Sequence, residues 1–308
     1  MLRPASLLAP LLAPALLAAA CGGAPSSVGV ETTTTQPAPK VEAATTTSSP
    51  SAIAAVPEDT AGSSRWLPPR PAASPARWEV EIIATHPHDP SAFTQGLEVV
   101  GDELYESTGR YGTSTLRIGA LDDPAATATV ALDDSLFGEG LTIVDDRVVQ
   151  LTWREQRALV WDREDLEPVG TFTYEGEGWG LCFDGDRLVM SDGSARLTFR
   201  DPESFAVSGT ADVALAGTPV TSLNELECVG GLVLANVWKT TDVVVIDPTD
   251  GSVIAVIDAS ALLADVRDLR PDAEIDVLNG IAALDDGTFL LTGKYWPLIY
   301  IVRVIARN

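Results

Sequence analysis

The sequence predicts an all-β fold, a five-bladed β-propeller closed by its N-terminal strand. Three observations predict it. Five segments align on one hydrophobic residue, Leu97, Leu141, Leu181, Leu226 and Ile281, at spacings of 44, 40, 45 and 55 residues. Spacings near 40 to 45 residues belong to propellers of four-stranded blades. The text around each anchor also repeats, so that Glu139-Gly140-Leu141-Thr142-Ile143-Val144-Asp145-Asp146 parallels Gln95-Gly96-Leu97-Glu98-Val99-Val100-Gly101-Asp102. Finally, the last repeat lacks a fourth strand while a spare one, Trp78–Ile83, stands at the other end. A ring sealed by the spare strand accounts for both. A β-sandwich gives no reason for the repeats to match.

Each repeat opens with an apolar strand, a tight Asp/Gly turn and a second strand such as Arg147–Thr152 or Leu232–Val237. Third strands are expected at 115–118, 159–161, 197–200, 243–246 and 298–301. Fourth strands are expected at 127–132, 171–174, 206–211 and 253–257. No stretch shows a sustained helical period.

Ahead of the repeats lie two segments of different character. Residues 1–20 read as an export signal, with Arg3 before an apolar run interrupted by Pro4, Pro10 and Pro14. The run Leu17-Ala18-Ala19-Ala20-Cys21-Gly22 resembles a bacterial lipobox, with Ala18 where Leu is usual, so Cys21 is the expected lipidation site. A plain secretory signal is the alternative. Residues 21–76 are rich in Ala, Pro, Ser and Thr, too poor in apolar surface to offset the entropy of ordering, and read as a disordered tether. Residues 77–308 then form the propeller. The protein is expected to be exported to the cell envelope, to meet a membrane only through a lipid anchor and to be a monomer.

The net charge of −24 argues against nucleic acid or an anionic membrane surface as partner. Solubility of an exported protein explains it, with a preference for cationic substrates as the sharper alternative. Three cysteines cannot build a disulfide framework. Cys182 and Cys228 fall one and two residues past their anchors, hence on opposite sheet faces. Export permits a disulfide between them, but two buried free thiols are the default.

In a propeller the innermost strands run beside a central channel. Residues two before each anchor, namely Gln95, Glu139, Trp179, Asn224 and Asn279, should meet at one mouth. Trp153, Trp238 and Lys294, at the ends of second strands, return to it. Singly, each has an ordinary explanation: core tryptophans, turn asparagines, a solvated glutamate. Together they describe a pocket with three indole walls, one carboxylate, one ammonium and several amides. Buried groups of this kind need partners or a purpose. His86 and His88 are the only histidines and read as loop residues near one rim, so no nucleophilic triad or His–Cys zinc pattern arises at the mouth. The pocket suits a substrate that brings its own nucleophile, with Glu139 moving protons and amides or Lys294 stabilising negative charge.

Several motifs now converge. His88-Asp89-Pro90, Phe93-Thr94-Gln95-Gly96-Leu97, Phe137-Gly138-Glu139-Gly140, Gly178-Trp179-Gly180, Leu223-Asn224-Glu225-Leu226-Glu227 and Leu278-Asn279-Gly280-Ile281 occur in order. From Trp78 to Arg303 the chain resembles the plant and bacterial type of glutaminyl-peptide cyclotransferase. The resemblance implies conversion of an N-terminal glutamine of a peptide or protein to pyroglutamate, with loss of ammonia. It implies Glu139 as acid/base residue and Gln95, Asn224 and Lys294 as further catalytic groups. Phe93, Phe137, Trp153, Trp179, Trp238 and Asn279 would bind substrate. It also implies no cofactor or metal for catalysis, with a structural calcium ion left open. Two rivals remain: a calcium-dependent lactonase-like hydrolase using Glu139, Asn224 and Asn279, and a non-catalytic peptide-binding envelope propeller.

Overall fold

The computed structural model describes residues 65–69 and 75–307. The expected export signal, Cys21 and most of the tether lie outside these residues. The chain enters through β1 (Ala76–Pro87). One sheet then holds β2 (Thr94–Val100), β3 (Glu103–Thr108), β4 (Thr115–Ala120) and β5 (Ala126–Ala131) in sequential order. A second holds β6 (Gly138–Val144), β7 (Arg147–Thr152), β8 (Arg157–Asp162) and β9 (Pro168–Thr173). A third holds β10 (Leu181–Phe183), β11 (Leu188–Met190), β12 (Arg196–Arg200) and β13 (Val207–Asp212).

The short strands β14 (Ala214–Leu215) and β15 (Thr218–Pro219) follow. Next come β16 (Leu223–Val229), β17 (Leu232–Val237), β18 (Asp242–Asp247), β19 (Ser252–Asp258), β20 (Leu278–Ala283), β21 (Phe289–Gly293) and β22 (Leu298–Ala306). They join one ten-stranded sheet with the path β16-β17-β18-β19-β1-β22-β21-β20. The N-terminal strand β1 pairs antiparallel with β22 from Trp78↔Ala306 to Pro87↔Leu298. Its first residues also pair in parallel with β19, which links the two runs.

The first strands neighbour one another in a cycle, β2 beside β6, β6 beside β10, β10 beside β16, β16 beside β20 and β20 beside β2. This is a β-propeller. Each anchor, Leu97, Leu141, Leu181, Leu226 and Ile281, is at most 1 % exposed, and burying one such side chain contributes about 1.5–3 kcal/mol. Between the first strands the backbone approach is close. A Cβ on Gly140 would stand 2.7 Å from Gly180 Cα, and one on Gly180 only 2.1 Å from the Asn224 carbonyl oxygen. Glu225 occupies the corresponding position of its own strand and bridges the ring instead. Its carboxylate accepts the Leu97 N–H at 3.3 Å and the Ile281 N–H at 2.9 Å.

Four local expectations need correction. A helix, α1 (Ser260–Leu269), lies between β19 and β20, where the repeat spacing lengthens. Only Leu262 and Val266 of its ten residues are buried, one contact pair that establishes no period in the sequence. Part of the expected tether is packed: Leu67 is buried and Trp66 Nε1 donates to the Leu284 carbonyl at 2.8 Å. Two large apolar side chains suffice to seat this piece. Cys182 and Cys228 are joined by a disulfide with Cα atoms 5.5 Å apart. Opposite faces of neighbouring strands β10 and β16 meet between sheets, so the offset that separates them in one strand brings them together across two. Finally, His86 and Pro87 belong to β1 rather than to a loop, and His88, in the loop that follows, is buried.

Candidate active site

Four of the five ring residues occupy irregularities in their strand pairing. Register shifts fall between Thr94 and Gly96, Gly138 and Leu141, Leu223 and Leu226, and Leu278 and Ile281. Gln95, Glu139, Asn224 and Asn279 lie inside these bulges. A bulge leaves its residue outside the ladder and re-aims the side chain. Trp179 stands just before β10. The repeat therefore builds its own site at the start of each first strand.

Polar members of the ring are linked by hydrogen bonds. Gln95 Nε2 donates to Glu139 Oε1 at 3.0 Å. Asn279 Nδ2 donates to the Thr94 carbonyl at 3.0 Å and reaches Gln95 Oε1 at 3.4 Å. Asn279 Oδ1 is buried without a partner. Asn224 is buried as well, and its backbone carbonyl accepts from Ser191 Oγ at 2.7 Å.

Glu139 and Lys294 are both 4 % exposed. Burial pushes the Glu139 carboxyl well above its ordinary range, against the pull of the Lys294 ammonium; Glu177 and Glu155 push it further up. The same burial lowers Lys294 to about 8, although Glu139 and Asp276 favour its charge. The pair thus holds an acid that keeps its proton unusually well and an amine that releases its proton unusually easily. Such opposed shifts mark groups suited to proton transfer near neutrality.

The predicted aromatic residues form two connected walls. Phe93 packs against Phe137 at 6.1 Å between centroids, and Phe137 against Trp153 at 5.5 Å. Trp179 meets Trp238 edge-on at 5.5 Å. The Lys294 ammonium lies 4.7 Å from the Phe93 centroid. All ten predicted propeller residues, Phe93, Gln95, Phe137, Glu139, Trp153, Trp179, Asn224, Trp238, Asn279 and Lys294, thus sit on the ring bulges or the adjoining strand ends.

Other residues escaped the sequence reading. Glu177 Oε2 accepts both indole N–H groups, from Trp153 at 2.8 Å and Trp179 at 3.0 Å, while Arg154 binds Oε1 at 2.9 Å. Burial works upward on Glu177, yet these three donors hold it below its ordinary value. Glu155 accepts the Tyr111 hydroxyl at 2.8 Å and the Phe137 N–H at 3.3 Å. Tyr295 packs on Phe93 at 5.1 Å. Glu177 stood two residues before a ring tryptophan, which is the one signal that could have flagged it.

Behind the ring lies a buried charge network. His88 Nδ1 faces the Trp296 carbonyl at 2.8 Å and Nε2 faces Glu106 Oε1 at 3.3 Å. Glu106 also accepts Thr94 Oγ1 at 2.7 Å and Arg117 Nε at 3.1 Å, and Arg117 continues to Asp89 at 2.6 Å. Against the upward pull of burial, His88, Arg117 and Thr94 hold Glu106 at about 2. Burial lowers His88, but Glu106 and the Trp296 carbonyl raise it overall. The network thus reaches the Thr94 side chain, next to Gln95, and the Trp296 carbonyl, two residues past Lys294.

The chain is similar to several known proteins. A family model described as glutamine cyclotransferase matches residues 51–304. The chain is similar to the glutaminyl-peptide cyclotransferase of Arabidopsis thaliana, 39 % identical over 231 residues, covering 73 % of this chain and 71 % of that protein. It is also similar to the crystal structure of Myxococcus xanthus glutaminyl cyclase, with 41 % identity and a TM-score of 0.72 over 76 % of this chain and 100 % of that one. The chain belongs to the glutamine cyclotransferase family.

Proposed function

We propose that the protein cyclises the N-terminal glutamine of peptides or proteins to pyroglutamate and releases ammonia. One observation carries the residue assignment: Glu139, an acid that burial makes hold its proton, shares an aromatic-walled mouth with Lys294 and a chain of amides. Ring closure is intramolecular, so the chief task is to hold a reactive conformer. The neutral α-amine attacks the γ-carboxamide carbon and a C–N bond forms. Glu139 gives its proton to the departing nitrogen and takes one in return from the attacking nitrogen. The old C–N bond breaks, ammonia leaves, and Glu139 returns to its starting state. Lys294, Asn224 or Gln95 polarises the amide oxygen, and the buried free Oδ1 of Asn279 offers an acceptor for a substrate N–H. Phe93, Phe137, Trp153, Trp179 and Trp238 enclose the glutamine and limit water.

Glu139→Gln tests the assignment on Gln-initiated peptides. General acid–base groups contribute about 10²–10⁴-fold, so ammonia release should fall at least about a hundredfold. Near-normal turnover by the folded variant would contradict it. Catalysis is proposed to need no metal, and activity should survive a strong chelator; loss restored by calcium would revive the lactonase-like reading, which the family membership does not favour. Release of ammonia at all separates the enzyme from a binding propeller.

The finer architecture is also a proposal. Five aligned segments and the cycle of first strands support five blades, with β1 completing the last. Export, lipidation at Cys21, a tether over most of residues 21–76 and a monomeric state are proposed from the sequence alone. Metabolic labelling with a radioactive fatty acid, lost in Cys21→Ala, tests the anchor.

A further inference from the structure

A repeat position outside the ring has no role in the chemistry just described. Counting four residues past the partner of each anchor, the second strands end in Arg110, Arg154, Ser194, Lys239 and Tyr295. Three of the five are cations, in a protein of net charge −24. All three are exposed, and each lies over an aromatic residue of the site. Arg110 Cζ is 3.9 Å from the Phe93 centroid, Arg154 Cζ 3.6 Å from that of Trp153, and Lys239 Nζ 4.1 Å from that of Trp238.

The three are not equivalent. Arg154 is neutralised by Glu177. Among the described residues, neither Arg110 nor Lys239 has a carboxylate oxygen within 4.0 Å. Both also hold a left-handed backbone, with φ of 113° and 67°. A side chain rarely adopts that conformation without compensation, and such strain concentrates at ligand sites. Arg110 is held further by its Nε donating to the Tyr295 hydroxyl at 3.1 Å. Stacking on a ring and one hydrogen bond leave the remaining guanidinium N–H groups free to donate outward. In so acidic a protein, an unpaired and oriented guanidinium at the mouth fits a carboxylate from elsewhere.

Phe93 touches both Arg110 and Lys294, so the guanidinium sits one ring away from the ammonium that faces the reacting amide. Consecutive Cα atoms are about 3.8 Å apart, which places the residue after the glutamine near the level of Arg110. We propose that Arg110, with Lys239 adding to the field, forms a subsite for a substrate carboxylate, so that the enzyme favours peptides with aspartate or glutamate directly after the terminal glutamine. This rests on the N-terminal glutamine reading given above. It runs against the preference for cationic substrates that net charge alone suggests, because Arg110 and Lys239 are cations stacked on the aromatic residues of the site.

The test uses three C-terminally amidated peptides of equal length that begin Gln-Glu, Gln-Gln and Gln-Lys, so that the second side chain is the only variable charge. At low ionic strength the expected order of kcat/KM is Glu, Gln, Lys, with steps of about threefold for an exposed ion pair. The steps should shrink in about 0.5 M salt, where screening falls to a few ångströms. Arg110→Glu should invert the order of the Glu and Lys peptides, a result that loss of structure cannot mimic. Should that variant not fold, Arg110→Gln should lower the Glu-to-Gln ratio toward one. Equal kcat/KM for all three peptides in the unaltered enzyme, or an unchanged order in the folded Arg110 variants, would overturn the subsite while leaving cyclisation intact. Absence of ammonia from every peptide would overturn the cyclisation reading and the subsite with it.

Discussion

Glu106 and Glu139 are buried to the same degree, each 4 % exposed, yet their surroundings drive them in opposite directions. Glu106 is met by an imidazole, a guanidinium and a hydroxyl and is held at about 2. Glu139 has one amide donor and the field of Lys294, and burial lifts it well above the carboxylate range. Equal desolvation therefore gives a fixed charge in one place and a movable proton in the other. The difference lies in how many donors face each carboxylate. Glu225 supplies a third case. Burial raises it too, but its oxygens are committed to the backbone N–H groups of Leu97 and Ile281 on two neighbouring strands. A raised carboxyl is thus necessary for the proposed chemistry without being sufficient.

Glu106→Gln should produce the largest change. It leaves His88 and Arg117 without their shared anion, and breaking a buried ion pair costs about 3–5 kcal/mol, to be read from denaturant unfolding at pH 7. The pH dependence has a definite sign. Glu106 is depressed in the fold, so its contribution of roughly 3 kcal/mol is complete above the unfolded carboxyl range and is lost as pH falls toward about 2. His88 is raised, so its contribution is present below the ordinary imidazole range and is lost as pH rises through the folded value. The variant should lose the acid limb of this profile. An unchanged limb would mean that Glu106 is no more than a packed acid.

A smaller effect of opposite sign is expected at the other carboxylate. Because Glu139 is raised in the fold, the native protein holds a proton that the unfolded chain releases, and stability declines as pH rises above the ordinary carboxyl range. Glu139→Gln should therefore unfold at a higher temperature than the unaltered protein at pH 8, while losing activity. Destabilisation there would place Glu139 with Glu106 as a structural charge. The smallest effect concerns Glu177, which orients two indoles without touching the reacting atoms. Glu177→Ala should raise KM about fivefold, the worth of roughly one hydrogen bond, with kcat less affected. A loss confined to kcat would instead make Glu177 a participant in the chemistry.

The ring was legible in the sequence because it repeats. Gln95, Glu139, Trp179, Asn224 and Asn279 share one offset from a buried hydrophobe, and the bulges that aim four of them occur at that same offset. What the sequence concealed does not repeat. Glu106 and His88 are 18 residues apart, one in the first sheet and the other just past β1, which pairs with β22 in another sheet. Helix α1 occupies an insertion in one repeat, with too few buried positions to show a period. The Cys182–Cys228 bond depends on which faces of β10 and β16 meet, and strand alternation alone leaves that open. Glu177 binds Trp153 from the preceding sheet, a contact that no offset encodes.

The most direct test of the difference between the two carboxylates is an infrared pH titration of the substrate-free protein, with Glu139→Gln as the reference that removes one carboxyl band. The protonated C=O stretch lost in the variant should fade in the unaltered protein only well above the ordinary carboxyl range, while no band assignable to Glu106 appears above about pH 4. Complete ionisation of Glu139 by about pH 5 would contradict its assignment as the acid that holds and returns the proton.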